Sequence, residues 1–159
     1  MPLLFVLSHV VLVITAGVLF YVAFTDLKEY TIKNELILVL VGLFFLHALL
    51  SGRWVTLHWN IGFALIIFAI MLFAYARNMI GGGDLKILTV GFLWVGLHCA
   101  FIFALLLLVF GALHSAAAKF GWVTSQNVNG RTRIAFAPTV AAALMGSFLL
   151  GCLQPLSQQ

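Results

Sequence analysis

Four stretches of nearly unbroken apolar residues, at about 3–25, 35–51, 59–76 and 134–153, dominate the pattern along the chain. Each approaches or reaches the roughly 20 residues that a helix needs to cross a bilayer. A fifth stretch, Leu85 to Ala118, is longer than one span requires and too short for two full spans with a loop. The pattern alone therefore predicts five or six helices, with polar segments at 26–34, 77–84 and 119–133.

The basic residues decide between the two counts. With 85–118 as a single helix, Lys28, Lys33, Arg77 and Lys86 face one side and Arg53, Lys119, Arg131 and Arg133 the other, with no bias. With a break near Gly96-Leu97-His98-Cys99, seven of the eight basic residues share a side and only Arg53 is opposite. Cytoplasmic loops of membrane proteins carry the excess of Lys and Arg, which selects the second arrangement. The expected fold is an all-α integral membrane protein of about six transmembrane helices, with both termini outside and the three polar segments as cytoplasmic loops. Its fourth helix, about 85–97, would be only ~20 Å long against a hydrocarbon core of ~30 Å. The Gly81-Gly82-Gly83-Asp84 turn that opens this short helix is thus expected below the membrane surface. Irregular backbone at that depth survives only beside protein or a water-filled cavity.

Composition supports lipid as the solvent. The chain is 64% hydrophobic and 8% charged, with mean hydropathy +1.20, whereas soluble domains carry about 25% charged residues. No composition shift marks a second domain, so residues 1–159 are read as one transmembrane unit. The net charge of +4 is scattered over loops rather than gathered on a helix face, which excludes a nucleic-acid partner. Residues 3–24 lack a basic leader region and a clear small-residue cleavage site, and are expected to stay as a helix. Cys99 and Cys152 form no C-x-x-C pair and cannot make a zinc site alone. Both fall near the outer surface in this topology, where a disulfide could form, although two free thiols are the simpler reading.

There are four acidic residues, Asp26, Glu29, Glu35 and Asp84. Asp26 ends the first apolar run, and Asp84 opens the fourth helix after three glycines. Two crossings lie between them, so both aspartates emerge on the same side. Two carboxylates close together in a low-dielectric site do not both ionise; they share a proton and titrate as a unit. Such a pair can activate water as general base and protonate a carbonyl as general acid. Glycine beside Asp84 lets a peptide backbone approach closely. The plainer alternative is that Asp84 caps helix four and Asp26 is a loop charge.

The residues around both aspartates resemble a known family. Gly81-Gly82-Gly83-Asp84-Leu85-Lys86 is similar to the G-x-G-D motif of type IV prepilin peptidases. Asp26-Leu27-Lys28 followed by Ile32 and Asn34 resembles that family's first aspartate motif, with Lys33 standing where a Pro is usual. Arg133-Ile134-Ala135-Phe136-Ala137-Pro138 resembles its late Pro-containing segment. The resemblance implies an aspartyl endopeptidase of the bacterial inner membrane that removes basic leader peptides from prepilins or pseudopilins at the cytoplasmic face, without a cofactor. It implies Asp26 and Asp84 as the catalytic dyad, with Gly81, Gly82, Gly83, Lys86, Lys28, Asn34 and Pro138 shaping the site. No N-terminal cysteine-bearing domain is present in this sequence. The chain therefore resembles the short branch associated with Flp-type, tight-adherence pili, for which cleavage without methyl transfer is expected, with the pilus-assembly machinery as a further partner.

Other residues read more plainly. Lys28, Lys33, Arg77 and Lys86 are expected to anchor the chain at the membrane surface, Lys86 being the likeliest to reach the site. Glu29 and Glu35 are the remaining candidates to meet a basic leader. His9, His47, His58, His98 and His114 show no metal-ligand spacing, and no G-x-S-x-G elbow surrounds a serine. Gly42, Gly62, Gly91, Gly111 and Gly146 are read as close-packing positions between helices. Trp54, Trp59, Trp94 and Trp122 are placed mostly at the interfaces, and 119–133 as a solvated loop. Two readings from other classes remain: a transport or channel subunit with Asp26 and Asp84 as an ion relay, and a non-catalytic pilus-assembly scaffold.

Overall fold

A computed structural model describes residues 2–52, 54–120, 126–128, 131–133 and 135–152. Five helices carry the chain: α1 (Pro2–Glu29), α2 (Asn34–Leu50), α3 (Trp54–Ala76), α4 (Gly82–Lys119) and α5 (Ala137–Leu149). Three of them, over Val6–Glu29, Thr56–Ala76 and Gly82–Lys119, are long and apolar enough to cross a membrane; α2 and α5 are shorter apolar helices. Large side chains stand in the open on every side, among them Val13, Phe20, Leu38, Leu65, Phe101 and Leu108. Exposed apolar area of that extent is not tolerated in water, and lipid is the solvent that suits it.

The sequence predicts separate fourth and fifth helices, and the structure has one element there with a break inside it. Gly96 departs from helical geometry at φ 65, ψ −173. In a straight helix Phe92 and Phe103 would be separated by about 16 Å along the axis, yet their ring centroids are 5.0 Å apart. The chain therefore doubles back at Gly96, and the arms 82–95 and 97–119 pack on each other. Positive φ makes glycine the natural residue here, and a Cβ would also run into the Asn60 side chain, 2.6 Å from its Cγ. Gly91 permits the closest approach of the two arms, since a Cβ there would be 2.7 Å from Phe103 Cζ.

Both α3 and α5 pack extensively on α4, and α1 packs on α2 and α5. The second arm of α4 and α5 run antiparallel: Gly111 faces Thr139 and Gly146 faces Leu106. At the far end of this pair Cys99 and Cys152 are joined in a disulfide, so the simpler expectation of two free thiols is corrected. The antiparallel register brings the two residues to one level. Trp94, placed at an interface from sequence, is instead 1% exposed. Its Nε1–H donates to the Leu40 carbonyl at 3.1 Å, and its ring packs against Phe44, His47 and Phe148. The indole ties α2 and α5 to the end of the first α4 arm, and its single polar atom is satisfied there.

Three further expectations change. Gly42 and Gly62 face open space rather than a neighbouring helix, because α2 and α3 touch each other little. The segment 119–133 is more than a solvated loop: β1 (Gln126–Val128) and β2 (Arg131–Arg133) pair antiparallel, with Val128 opposite Arg131. Asn129-Gly130 between them in sequence is the strongest two-residue hairpin signal, although those two residues and Trp122 lie outside the described set. Asp26 belongs to the last turn of α1 rather than to the loop after it.

Gly96→Ala adds both a disfavoured backbone conformation and a collision with Asn60. It is expected to destabilise the fold by about 2 kcal/mol or more, read as a lower Tm in detergent, whereas Gly42→Ala should leave Tm unchanged or raise it slightly.

Candidate active site

The residues singled out in the sequence converge at one end of the helix assembly. Asp26 lies in the last turn of α1, is 5% exposed, and reaches across to the start of α5. Its Oδ2 accepts a hydrogen bond from the Ala137 backbone N–H at 2.8 Å, and the Phe136 amide adds a second interaction. The first amides of a helix have no partner within it, and the helix dipole places positive potential there. Phe136 sits at the N-cap without a side-chain cap, and Pro138 in the first turn has no N–H to offer. The Asp26 carboxylate therefore caps α5 from a residue 111 positions away.

Asp84 stands in the first turn of α4, after the N-cap Gly81, and is half-buried. Its carboxyl folds back over that glycine, where a Cβ would lie 3.1 Å from Oδ2. The glycine turn is held close on two further sides: a Cβ on Gly83 would meet Ile32 at 3.4 Å, and one on Gly82 would meet Tyr75 at 3.4 Å. Three consecutive residues without side chains are what let the α1–α2 loop and the end of α3 close around the turn.

Asp26 and Asp84 line a single cavity of about 680 Å³. Its walls are the α1–α2 loop at 30–32, the α3–α4 loop at 78–81, the opening of α4 at Gly82 and Gly83, and the side chains of Tyr75, Lys86 and Phe136. This volume falls within the ~300–1,000 Å³ of ligand sites. Lys86 borders it and donates from Nζ to Asn34 Oδ1 at 2.7 Å, joining the opening turns of α4 and α2. Lys28 is placed differently: it is exposed and lies over the Phe24 ring, 4.5 Å from the centroid, away from the cavity wall. Pro138 stands one residue beyond the amide that holds Asp26. Glu29 pairs loosely with Lys33 at 4.0 Å on the surface, and Glu35 is exposed at the start of α2. A second hollow, against Val6, His9, Val10, Val13 and Ile14 of α1, is lined almost wholly by apolar surface and holds no comparable chemistry.

Sequence reasoning missed several wall residues. Tyr30 and Asn78 are the non-glycine residues with positive φ among those described, at 51° and 56°, and both border the cavity. Such a conformation is common for Asn and a real outlier for a bulky residue such as Tyr. Strained backbone of this kind concentrates at functional sites. No sequence signal marks Tyr30, because Tyr carries no preference for that conformation. His114, passed over as one of five scattered histidines, stands within electrostatic reach of Asp26.

The two aspartates are built into the fold unequally, and stability measurements should show it. Asp26→Ala leaves the Ala137 N–H buried and unpaired and is expected to cost about 1–3 kcal/mol. Asp84→Ala removes a partly exposed charge from a helix N-terminus and should cost below ~1 kcal/mol. Thermal unfolding of the two variants in detergent makes the comparison.

Comparison with known proteins bears on the same residues. No curated protein and no solved structure matches the chain. The sequence profile of the Type IV leader peptidase family matches residues 13–116, which takes in both aspartates, the glycine turn, Lys86 and His114 and stops short of α5. With a match over more than half of its length, on residues that meet around one cavity, this chain belongs to the type IV leader peptidase family.

Proposed function

We propose that this protein is an intramembrane aspartyl endopeptidase that cleaves the basic leader from prepilins or pseudopilins of the Flp type, with Asp26 and Asp84 as its catalytic pair. The observation that carries this reading is the shared cavity: two carboxyl groups from α1 and α4 line one space large enough for a peptide segment. With one carboxyl ionised and its neighbour protonated, the carboxylate takes a proton from water as the water oxygen attacks the scissile carbonyl carbon. The protonated carboxyl donates to the carbonyl oxygen. Collapse of the tetrahedral intermediate breaks the C–N bond, and the leaving amine takes up the proton. Lys86 and Asn34 fix the distance between the openings of α4 and α2, while the glycine turn leaves a face free for extended backbone.

The membrane arrangement follows the same reading. Counting the two arms of α4 as separate crossings makes six spans. The first arm, 82–95, is ~21 Å long and falls short of the ~30 Å core, so Gly81–Gly83 and Asp84 sit below the inner surface in a wet hollow bounded by protein. The basic residues concentrate on the aspartate side, which favours the cytoplasm for that face. The disulfide lies just past the opposite end of α5, whose 13 residues span ~20 Å, and an oxidising exterior is the setting in which such a bond persists. The substrate's apolar helix would stay in the bilayer beside the bundle while its basic leader meets the cytoplasmic face, at which the pilus-assembly machinery collects the product.

The test is processing of a co-expressed Flp-type prepilin, followed by gel shift. Asp26→Asn and Asp84→Asn are each expected to reduce cleavage at least ~100-fold with the protein still inserted. Normal processing by both variants removes the protease reading; an ion relay would instead lose coupled flux, and a scaffold would tolerate both changes. Orientation has its own check. In intact cells a membrane-impermeant maleimide should label Cys99 and Cys152 only after external reductant is added. Labelling from the cytoplasmic side alone would reverse the topology.

A further inference from the structure

A substrate that keeps its apolar helix in the bilayer has to approach through lipid, so the seams between helices matter as much as the cavity. Helix α1 packs on α2 and α5, and α4 packs on α5 and α3. The seam between α2 and α3 is different: the two are joined through residues 51–53, yet touch each other little. Its floor is the first arm of α4. At about 100° per residue, Thr89 falls between the residues of that arm that meet α2 and those that meet α3. On one side Lys86 and Trp94 bond to Asn34 and Leu40 of α2; on the other Phe92 and Gly96 face Phe63 and Asn60 of α3. Lys86, Thr89 and Phe92 are the half-buried positions in an arm otherwise buried from Leu85 to Gly96. Leu93, about one turn beyond Thr89 on the same side, is already covered. Near the joined ends of α2 and α3, against Trp94, the hollow shrinks to about 10 Å³. At their other ends Ile32, just before α2, and Tyr75, in the last turn of α3, both border the cavity of the two aspartates. The seam is a V, closed at the first end and open toward the cavity.

We propose that the V between α2 and α3 is the docking site for the substrate's apolar helix, with Thr89 at its floor. The seam runs into the cavity: Thr89 is ~7.5 Å along the helix from Asp84, so the segment preceding a helix seated there reaches the two carboxyl groups directly. Helices associate in lipid by close backbone approach over small residues, and Thr89 is such a residue. Its hydroxyl donates to the Leu85 carbonyl at 2.8 Å, so it presents no unsatisfied polar group to an apolar partner. The inference rests on the protease reading and specifies the side from which the substrate arrives.

The experiment uses the full-length protein in membranes with a co-expressed Flp-type prepilin that carries one cysteine in the first two turns of its apolar helix. Both native cysteines are held in the disulfide, so an added thiol reports alone. Thr89→Cys is compared with Val13→Cys and Leu108→Cys, at exposed sites on α1 and the second α4 arm, and copper phenanthroline drives disulfide formation. An adduct with Thr89→Cys and little or none with the other two is expected. No adduct at Thr89→Cys, or equal adducts at all three sites, overturns the proposal. A second variant reads function. Thr89→Trp fills the floor of the seam and is expected to raise KM for the whole prepilin at least ~tenfold, while a soluble peptide spanning only the leader junction is cleaved as by the native protein. An unchanged KM for the prepilin also overturns the proposal; loss of both substrates marks a folding defect, and the Thr89→Cys adduct then decides. Asp26→Asn, run alongside, separates the two levels of argument. If it still cleaves, the protease reading itself has failed; if it is inactive and Thr89→Cys forms no adduct, only the docking site has.

Discussion

The contact between the Asp26 carboxylate and the Ala137 amide is the constraint around which the site is organised. A helix that begins away from bulk water must find acceptors for its first amides, and a buried carboxylate must find donors. Here each answers the other's need, at 2.8 Å across 111 residues of sequence. The pairing also places Phe136 at the cavity, so the last helix contributes to the site although it brings no acid of its own. Charge, capping and chain closure are handled by one interaction.

Asp84 reaches the same cavity by a different route. Its position depends on how the first arm of α4 is seated, and that depends on the far end of the arm. Trp94 locks that end between α2 and α5, and Gly96 turns the chain so that the second arm covers the first. The disulfide then fastens the turn to the end of α5. With one end held so firmly, the other can afford an open turn of three glycines. Flexible backbone at Gly81–Gly83 is confined between Ile32 and Tyr75, which leaves the aspartate oriented and the adjoining space accessible.

Much of this could be read before any coordinates. The spacing of apolar blocks located the helices, the distribution of Lys and Arg located a break close to Gly96, and the Gly-Gly-Gly-Asp sequence with Asp-Leu-Lys marked both acids and the family. Those signals are local or depend on charge counting, and sequence displays them directly. What escaped were features set by long-range register. Trp94 reads as an interface tryptophan until Leu40 is seen to accept its N–H. Gly42 and Gly91 look alike in sequence, yet of the two only Gly91 has a close neighbour, Phe103, because the α4 arms close on each other there while Gly42 faces open space. Likewise nothing near His114 in sequence distinguishes it from the other histidines. The acid within its electrostatic reach, Asp26, lies 88 positions away on α1.

The unequal burial of the two acids bears on how such a site could work in a membrane. Asp26 is enclosed and held by a backbone amide, and its geometry is therefore inherited from the fold. Asp84 is half-buried in the first turn of α4, beside a glycine turn that Ile32 and Tyr75 confine, and more of it is open to the cavity. Tyr30 and Asn78 flank that same space in left-handed conformations, and their backbones are the places where relaxation would be released if the loops moved. In the proposed reaction, one enclosed carboxyl and one more accessible carboxyl would suit hydrolysis of an extended peptide delivered from the side. The enclosed group would fix one side of the cavity, while the half-buried group would stand nearer to the incoming peptide. A pair frozen on both sides would have to be built to the transition state within a few tenths of an ångström. A pair free on both sides would lose the positioning on which general acid–base catalysis depends.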